Sequence, residues 1–141
     1  MNISQAIQLK DLARARYQSE LAISKKLADE EWGLRCRLNE VFEDQKRLQS
    51  DLEKEIVPFR SIGGDVLWQA SLSRCRNQLE YDLTRLKSRK SDAMARLGIA
   101  FGRYDAASEA LESALVEAER IKLAKVASDM MSASLLSKFL D

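Results

Sequence analysis

The stretch that decides the fold is Pro58-Phe59-Arg60-Ser61-Ile62-Gly63-Gly64-Asp65. Proline biases the residue before it away from helix. Paired glycines release the backbone to turn. Asp65 can then cap a new helix by accepting hydrogen bonds from the free N–H groups of its first turn. No other stretch combines these signals. Gly33, Gly98 and Gly102 stand alone inside helical patterns, where a glycine weakens or bends a helix without ending it. The expectation is one helix over about 3–57, a turn over about 58–64, and a second helix over about 65–137.

Outward from the turn, the second arm carries a long repeat. Alternating steps of four and three from Leu72 give Arg76, Leu79, Leu83, Leu86, Lys90, Ala93, Leu97, Ala100, Tyr104, Ala107, Leu111, Ala114, Ala118, Ile121, Lys125 and Ser128. Of these 17 positions, 13 are apolar, in one register without a stutter. A sustained 3.5-residue period keeps one seam facing a partner helix and implies a left-handed supercoil. The first arm reads as Ile23, Leu27, Glu31, Leu34, Leu38, Val41, Gln45, Leu48 and Leu52, with a second apolar edge at Trp32, Phe42 and Ile56. Its charged and amide interruptions point to a partly open seam or to a register shift near Glu31. Helices of roughly 80 Å and 105 Å, at about 1.5 Å per residue, do not persist on propensity alone, so each must bury its stripe on the other. The fold expected is all-α, a two-helix antiparallel coiled-coil hairpin.

Symmetric pairing about the turn puts Leu48 near Arg74, Leu38 near Thr84, Leu27 near Ala95 and Leu9 near Ser113. Cys36 and Cys75 then sit about eleven residues apart along the pairing, roughly 16 Å at helical rise, too far for a disulfide. They read as free thiols. Met1 lies opposite about Ile121, so the last 20 or so residues, among them Met130, Met131, Leu135, Leu136, Phe139 and Leu140, form an apolar overhang with no partner in the first arm.

Composition narrows the function. The 141 residues include one Pro, five Gly and 6% aromatics, with 32% charged. That mixture suits solvated helices around a narrow Leu/Ala seam. Twenty-three basic and 22 acidic residues give a net charge of +1, with neither the excess nor the stripe of a nucleic-acid binder. No run approaches the 18 apolar residues of a membrane span, and Met1 to Lys10 lacks the pattern of a secretory signal. A cytoplasmic location without membrane insertion is expected.

The absence of histidine removes the commonest general base and metal ligand. No phosphate-binding or dinucleotide glycine motif is present. The carboxylate pairs Glu30 with Glu31 and Glu117 with Glu119 read as solvated face, since a two-helix pair offers no concave pocket to desolvate them. No cofactor, no metal and no enzymatic activity are expected.

Four features together resemble one family, the small flagellar and type III secretion stalk proteins of the FliJ/YscO type. The chain has their length. Leu9, Lys10, Asp11, Leu12 and Ala13 are similar to the family's helix-opening Leu-Lys-Asp-Leu-Ala pattern. A mid-chain break is followed closely by a Trp, here Trp68, and the second helix runs on to an overhanging end. Two features depart: Phe101 and Tyr104 stand where the family carries a late Trp, and Asp129 has no acidic neighbour.

The resemblance implies a central stalk for a cytosolic export ATPase, peripheral to a membrane-embedded export apparatus. The open end would insert in the hexameric ATPase ring through Leu9, Leu12, Ala13 and the overhang from Ile121, with Leu135 and Phe139. The loop end would face the export-gate membrane protein through Trp68, Leu72, Cys75 and Leu79, although Leu72 and Leu79 also belong to the seam count. Export chaperones are a further partner class. Two other readings stand beside it: a generic coiled-coil scaffold or tether, and an export-substrate chaperone or adaptor.

Overall fold

The computed structural model describes residues 2–54 and 63–140, without the side chain of Asp65. Two long helices make up these residues, α1 (Ile3–Glu53) and α2 (Gly64–Leu140), packed against each other with no strand among the described residues. The fold is the expected all-α two-helix hairpin.

Helix α1 opens with a reciprocal cap. The Gln5 N–H donates to Asn2 Oδ1 at 2.7 Å, and the Asn2 N–H donates to Gln5 Oε1 at 3.3 Å. Two donors that a helix start leaves without carbonyl partners are thereby satisfied. The helix stops at Glu53, four residues before the expected boundary, and Lys54 closes the last turn onto the Ser50 carbonyl at 3.2 Å. Pro58 and the rest of 55–62 lie outside the described residues, as does the proposed Asp65 cap. Gly63 has φ of +70°, a left-handed conformation that glycine adopts without Cβ strain. Its carbonyl accepts the first helical bond of α2, from the Leu67 N–H at 3.3 Å. Helix α2 reaches Leu140, three residues past expectation.

Burial along both helices follows the 3–4 step. In α2 every position of the expected register from Leu72 to Ala118 is among the less exposed, joined by Asp82, Ser108 and Ala110 beside it. In α1 the stripe runs Ile3, Ala6, Lys10, Ala13, Tyr17, Glu20, Ser24, Leu27, Glu31, Leu34, Leu38, Val41, Gln45, Leu48 and Leu52, with Phe42 and Asp44 less exposed beside it. The expected first arm is corrected in three respects. Ser24, not Ile23, holds the seam position, because the spacing from Leu27 is three and not four. Trp32 is exposed instead of forming a second edge, whereas Phe42 is half-buried. No register shift occurs at Glu31.

Two compact units share these helices. In the unit of residues 20–97, Val41, Leu48, Leu72 and Leu79 form one core cluster, and Leu27, Leu86 and Ala93 form a second, with Leu34 packed against both. Leu48 with Leu72 and Leu27 with Ala93 each fall within two residues of the expected pairing, and their opposite numbering makes the helices antiparallel. The charged interruptions of the two arms meet each other. Glu31, its side chain 13% exposed, accepts from Lys90 Nζ at 2.7 Å and from Arg35 at 2.8 Å. Arg96 lies 3.5 Å from Glu20, and the guanidinium of Arg76 sits 4.8 Å above the Phe42 ring. Glu31 is therefore part of the seam, not of a solvated face. The Lys90 hydrogen bond, then that of Arg35, holds its carboxyl down at about 2. Cys36 and Cys75 are both exposed and free, as expected.

The unit of residues 1–19 and 98–141 is built on small side chains. Ala6 is fully buried, and Ala100 and Ala107 nearly so, which requires the facing backbone to come close. Tyr17 stacks on Tyr104 at 5.8 Å between ring centroids and tilts against Phe101 at 5.6 Å.

Three outcomes are expected. Leu86→Asp places a charge among Leu27, Leu34 and Ala93 and destabilises the hairpin by at least about 3 kcal/mol, read as lost helicity in chemical denaturation monitored by circular dichroism. Gly33→Ala adds a Cβ with nothing within 4 Å of it, and raises stability by roughly 0.5–1 kcal/mol, read as a higher denaturation midpoint. Glu31 has a folded-state pKa below its ordinary 4.5. Its stabilising contribution is complete above that value and is lost as pH falls towards about 2. Thermal melts of Glu31→Gln should thus differ most from the native protein at neutral pH and converge with it near pH 2.

Candidate interaction surfaces

An antiparallel helix pair buries one stripe of each helix and leaves a groove on either side of the seam. Sequence reasoning expected no concavity. The structure has two open grooves of note. In the unit of residues 1–19 and 98–141, a groove of about 550 Å³ is walled by Leu9, Leu12 and Ala13 of α1 and by Ala100, Ala106 and Ala107 of α2, with Arg16 and Arg103 as its charged members. Leu9, Leu12 and Ala13 were singled out from the sequence, and the fold brings the three onto one wall. Leu12 is 70% exposed, so its side chain is offered to solvent. The α2 wall was not anticipated. Its signal lies in the register itself, since Ala100 and Ala107 are seam positions and Arg103 and Ala106 flank them.

In the unit of residues 20–97, a groove of about 440 Å³ has Leu34 and Leu86 at its base, with Glu30 and Asp82 alongside Arg37, Arg85 and Arg89. Both charge signs share its walls. It presents an ordinary polar flank of a helix pair.

Of the four residues nominated near the turn, the structure separates two from two. Leu72 and Leu79 are only 6% and 8% exposed and pack on Val41 and Leu48. They are corrected to core residues, because the heptad step that relates them is the step that faces the partner helix. Trp68 and Cys75 are exposed, Trp68 at 46%. Val66 and Leu67 beside it are exposed as well, so the apolar surface at the start of α2 is the run 66–68 and not a stripe descending through Leu79.

Every residue of 119–140 is exposed. Ile121, Leu135 and Phe139, nominated from the sequence, lie on this segment, joined by Met130, Met131 and Leu136. Ile121, Ala124, Ser128, Met131, Leu135 and Phe139 follow steps of three and four and fall on one side of the helix. Ile121, Ser128, Leu135 and Phe139 continue the seam register past Ala118, whose intervening positions Lys125 and Ser132 are polar. Where the segment begins, Arg120 donates to Glu117 at 2.6 Å, a contact one turn long that holds the carboxyl of Glu117 below its ordinary range.

Among the described residues no group of His, Cys, Asp and Glu is arranged to hold a metal ion, and no helix is long and apolar enough to cross a membrane. No family model matches the chain, and neither a curated protein nor a solved structure matches it.

Proposed function

We propose that this chain is a non-enzymatic central stalk of a flagellar or type III protein export ATPase, acting in the cytoplasm beside a membrane-embedded export apparatus. The observation that carries the reading is the segment 119–140, a continuation of α2 with nine large apolar side chains exposed. A solvated helix with that much apolar surface is stabilised by a partner that covers it. An ATPase ring with an apolar central pore is such a partner, and the Leu9-to-Ala13 pattern together with Trp68 is what the family resemblance supplies. In this reading Leu9, Leu12 and the segment from Ile121 contact the ring, and Trp68 with its neighbours Val66 and Leu67 contacts the export gate.

Self-association through the same segment, as in a scaffold, is the second reading, since Ile121, Met131, Leu135 and Phe139 could equally pair with a copy of themselves. Charge disfavours it: residues 119–140 carry four basic and two acidic side chains, and like charges brought together across a helix pair repel.

Co-purification of the chain with the export ATPase of its own organism tests the proposal, using the full chain and a version ending at Ala118. The full chain is expected to retain the ATPase and to be monomeric by light scattering when alone. The shortened chain, whose seam is intact, is expected to keep its helicity and lose the ATPase. Retention of export chaperones alone would favour the adaptor reading, and a concentration-dependent dimer abolished by the truncation would favour the scaffold.

A further inference from the structure

The seam of α2 carries one pattern twice. Leu86, Lys90, Ala93 and Tyr104 each stand five heptads before Ile121, Lys125, Ser128 and Phe139, so a large aliphatic, a lysine, a small residue and an aromatic recur at equal spacing. Every member of the first set is met from α1. Leu86 and Ala93 cluster with Leu27, Lys90 Nζ donates to Glu31 at 2.7 Å, and Tyr104 stacks on Tyr17. Among the described residues nothing covers the second set. Ile121 and Phe139 are 56% and 86% exposed, and Lys125 has no hydrogen-bond or ion-pair partner among those residues.

We propose that residues 121–139 dock an antiparallel helix of another protein that repeats the chemistry of the α1 stripe. That helix has aliphatic residues facing Ile121 and Ser128, a carboxylate facing Lys125 and an apolar residue facing Phe139. The proposal rests on reading 119–140 as a partner-binding segment, and it does not require the partner to be an ATPase. Its basis is continuity with the folded seam. A stripe that runs on in register presents to a second helix the same ridges and holes that α1 fills. A lysine at a seam position is costly against leucine, and a carboxylate opposite compensates it through a charge-assisted hydrogen bond, as Glu31 does for Lys90. A second copy of the segment does not supply that carboxylate, because Ile121, Lys125, Ser128, Ser132, Leu135 and Phe139, its seam positions, include no acid. The α1 of a second copy is already packed on its own α2. A lipid surface takes basic side chains ranged opposite an apolar face, whereas Lys125 stands within that face, between Ile121 and Ser128.

The test uses the full chain and two fluorescent helical peptides, each with leucines facing Ile121, Ser128, Ser132, Leu135 and Phe139 in antiparallel register. One carries glutamate and the other lysine at the position facing Lys125. The glutamate peptide is expected to bind tighter by about tenfold or more, as read by fluorescence anisotropy. Lys125→Glu should invert that order, and the Leu135→Ser, Phe139→Ser pair should weaken both peptides. The Leu123→Ser, Met130→Ser pair, on the opposite side of the helix, should leave both affinities unchanged. Lys125→Gln should erase the preference, which keeps the test available if Lys125→Glu lowers helicity by circular dichroism. Equal binding of the two peptides, no binding of the glutamate peptide, a preference that survives Lys125→Glu, or weakened binding in the Leu123, Met130 pair overturns the proposal. So does lysine-dependent binding to phosphatidylserine vesicles in place of the peptide. Failure to co-purify an ATPase while the peptide preference holds would remove the stalk reading and leave this one standing. An ATPase retained equally by the Lys125→Glu chain, with no peptide preference, would do the reverse.

Discussion

Each helix of this protein depends on burying one narrow stripe, a residue every three or four, against the other. A helix of 51 residues and one of 77 gain little from intrinsic propensity compared with the cost of ordering them. The free energy comes from removing the seam from water. Among the described residues that seam is one side chain deep. What the fold can offer is surface: grooves beside the seam, and helix that outruns it.

The seam is not uniform, and the differences have physical reasons. Among residues 20–97, leucine clusters alternate with places where a charge on one helix meets its opposite on the other. Glu31, its side chain only 13% exposed, would be costly there without a partner. Paired with Lys90, and with Arg35 supplying a second donor, it is compensated. Such a pair also fixes register, because sliding the helices by one turn would leave both charges facing leucine. Among residues 1–19 and 98–118, alanine replaces leucine at most seam positions, with the Tyr17–Tyr104 stack as the large contact. Small side chains bring the helices together and give the adjoining groove its apolar walls.

These features suit a protein that works by being held. Among the described residues, exposed apolar surface includes the run 66–68, the wall formed by Leu9 and Leu12, and the segment 119–140. Each is of a kind that a partner helix or an apolar pore covers at low cost in polar desolvation. The proposed stalk role would draw on contacts of this type and on an unbroken helix leading to them. Helix α2 continues through Gly98 and Gly102 without interruption, so these glycines lower its stability without ending it.

The sequence by itself determined the hairpin. A 3–4 repeat read from Leu72 named the buried face of α2 as far as Ala118, and the Gly63-Gly64 step marked where α2 begins. The exposed end followed from simple counting about the turn. All of this is local information, because helical period and chain length act through neighbours a few residues away. Only tertiary packing decided what the interruptions meant. Glu31 and Lys90 are 59 residues apart in sequence, and neither reveals alone that the other answers it, so the pair read as a flaw in the seam. The same holds for Leu72 and Leu79, whose spacing fits an outward stripe as well as an inward one until Val41 and Leu48 are seen against them. The arginine-lined groove needed both arms in place, since α1 and α2 each supply one wall and one charge.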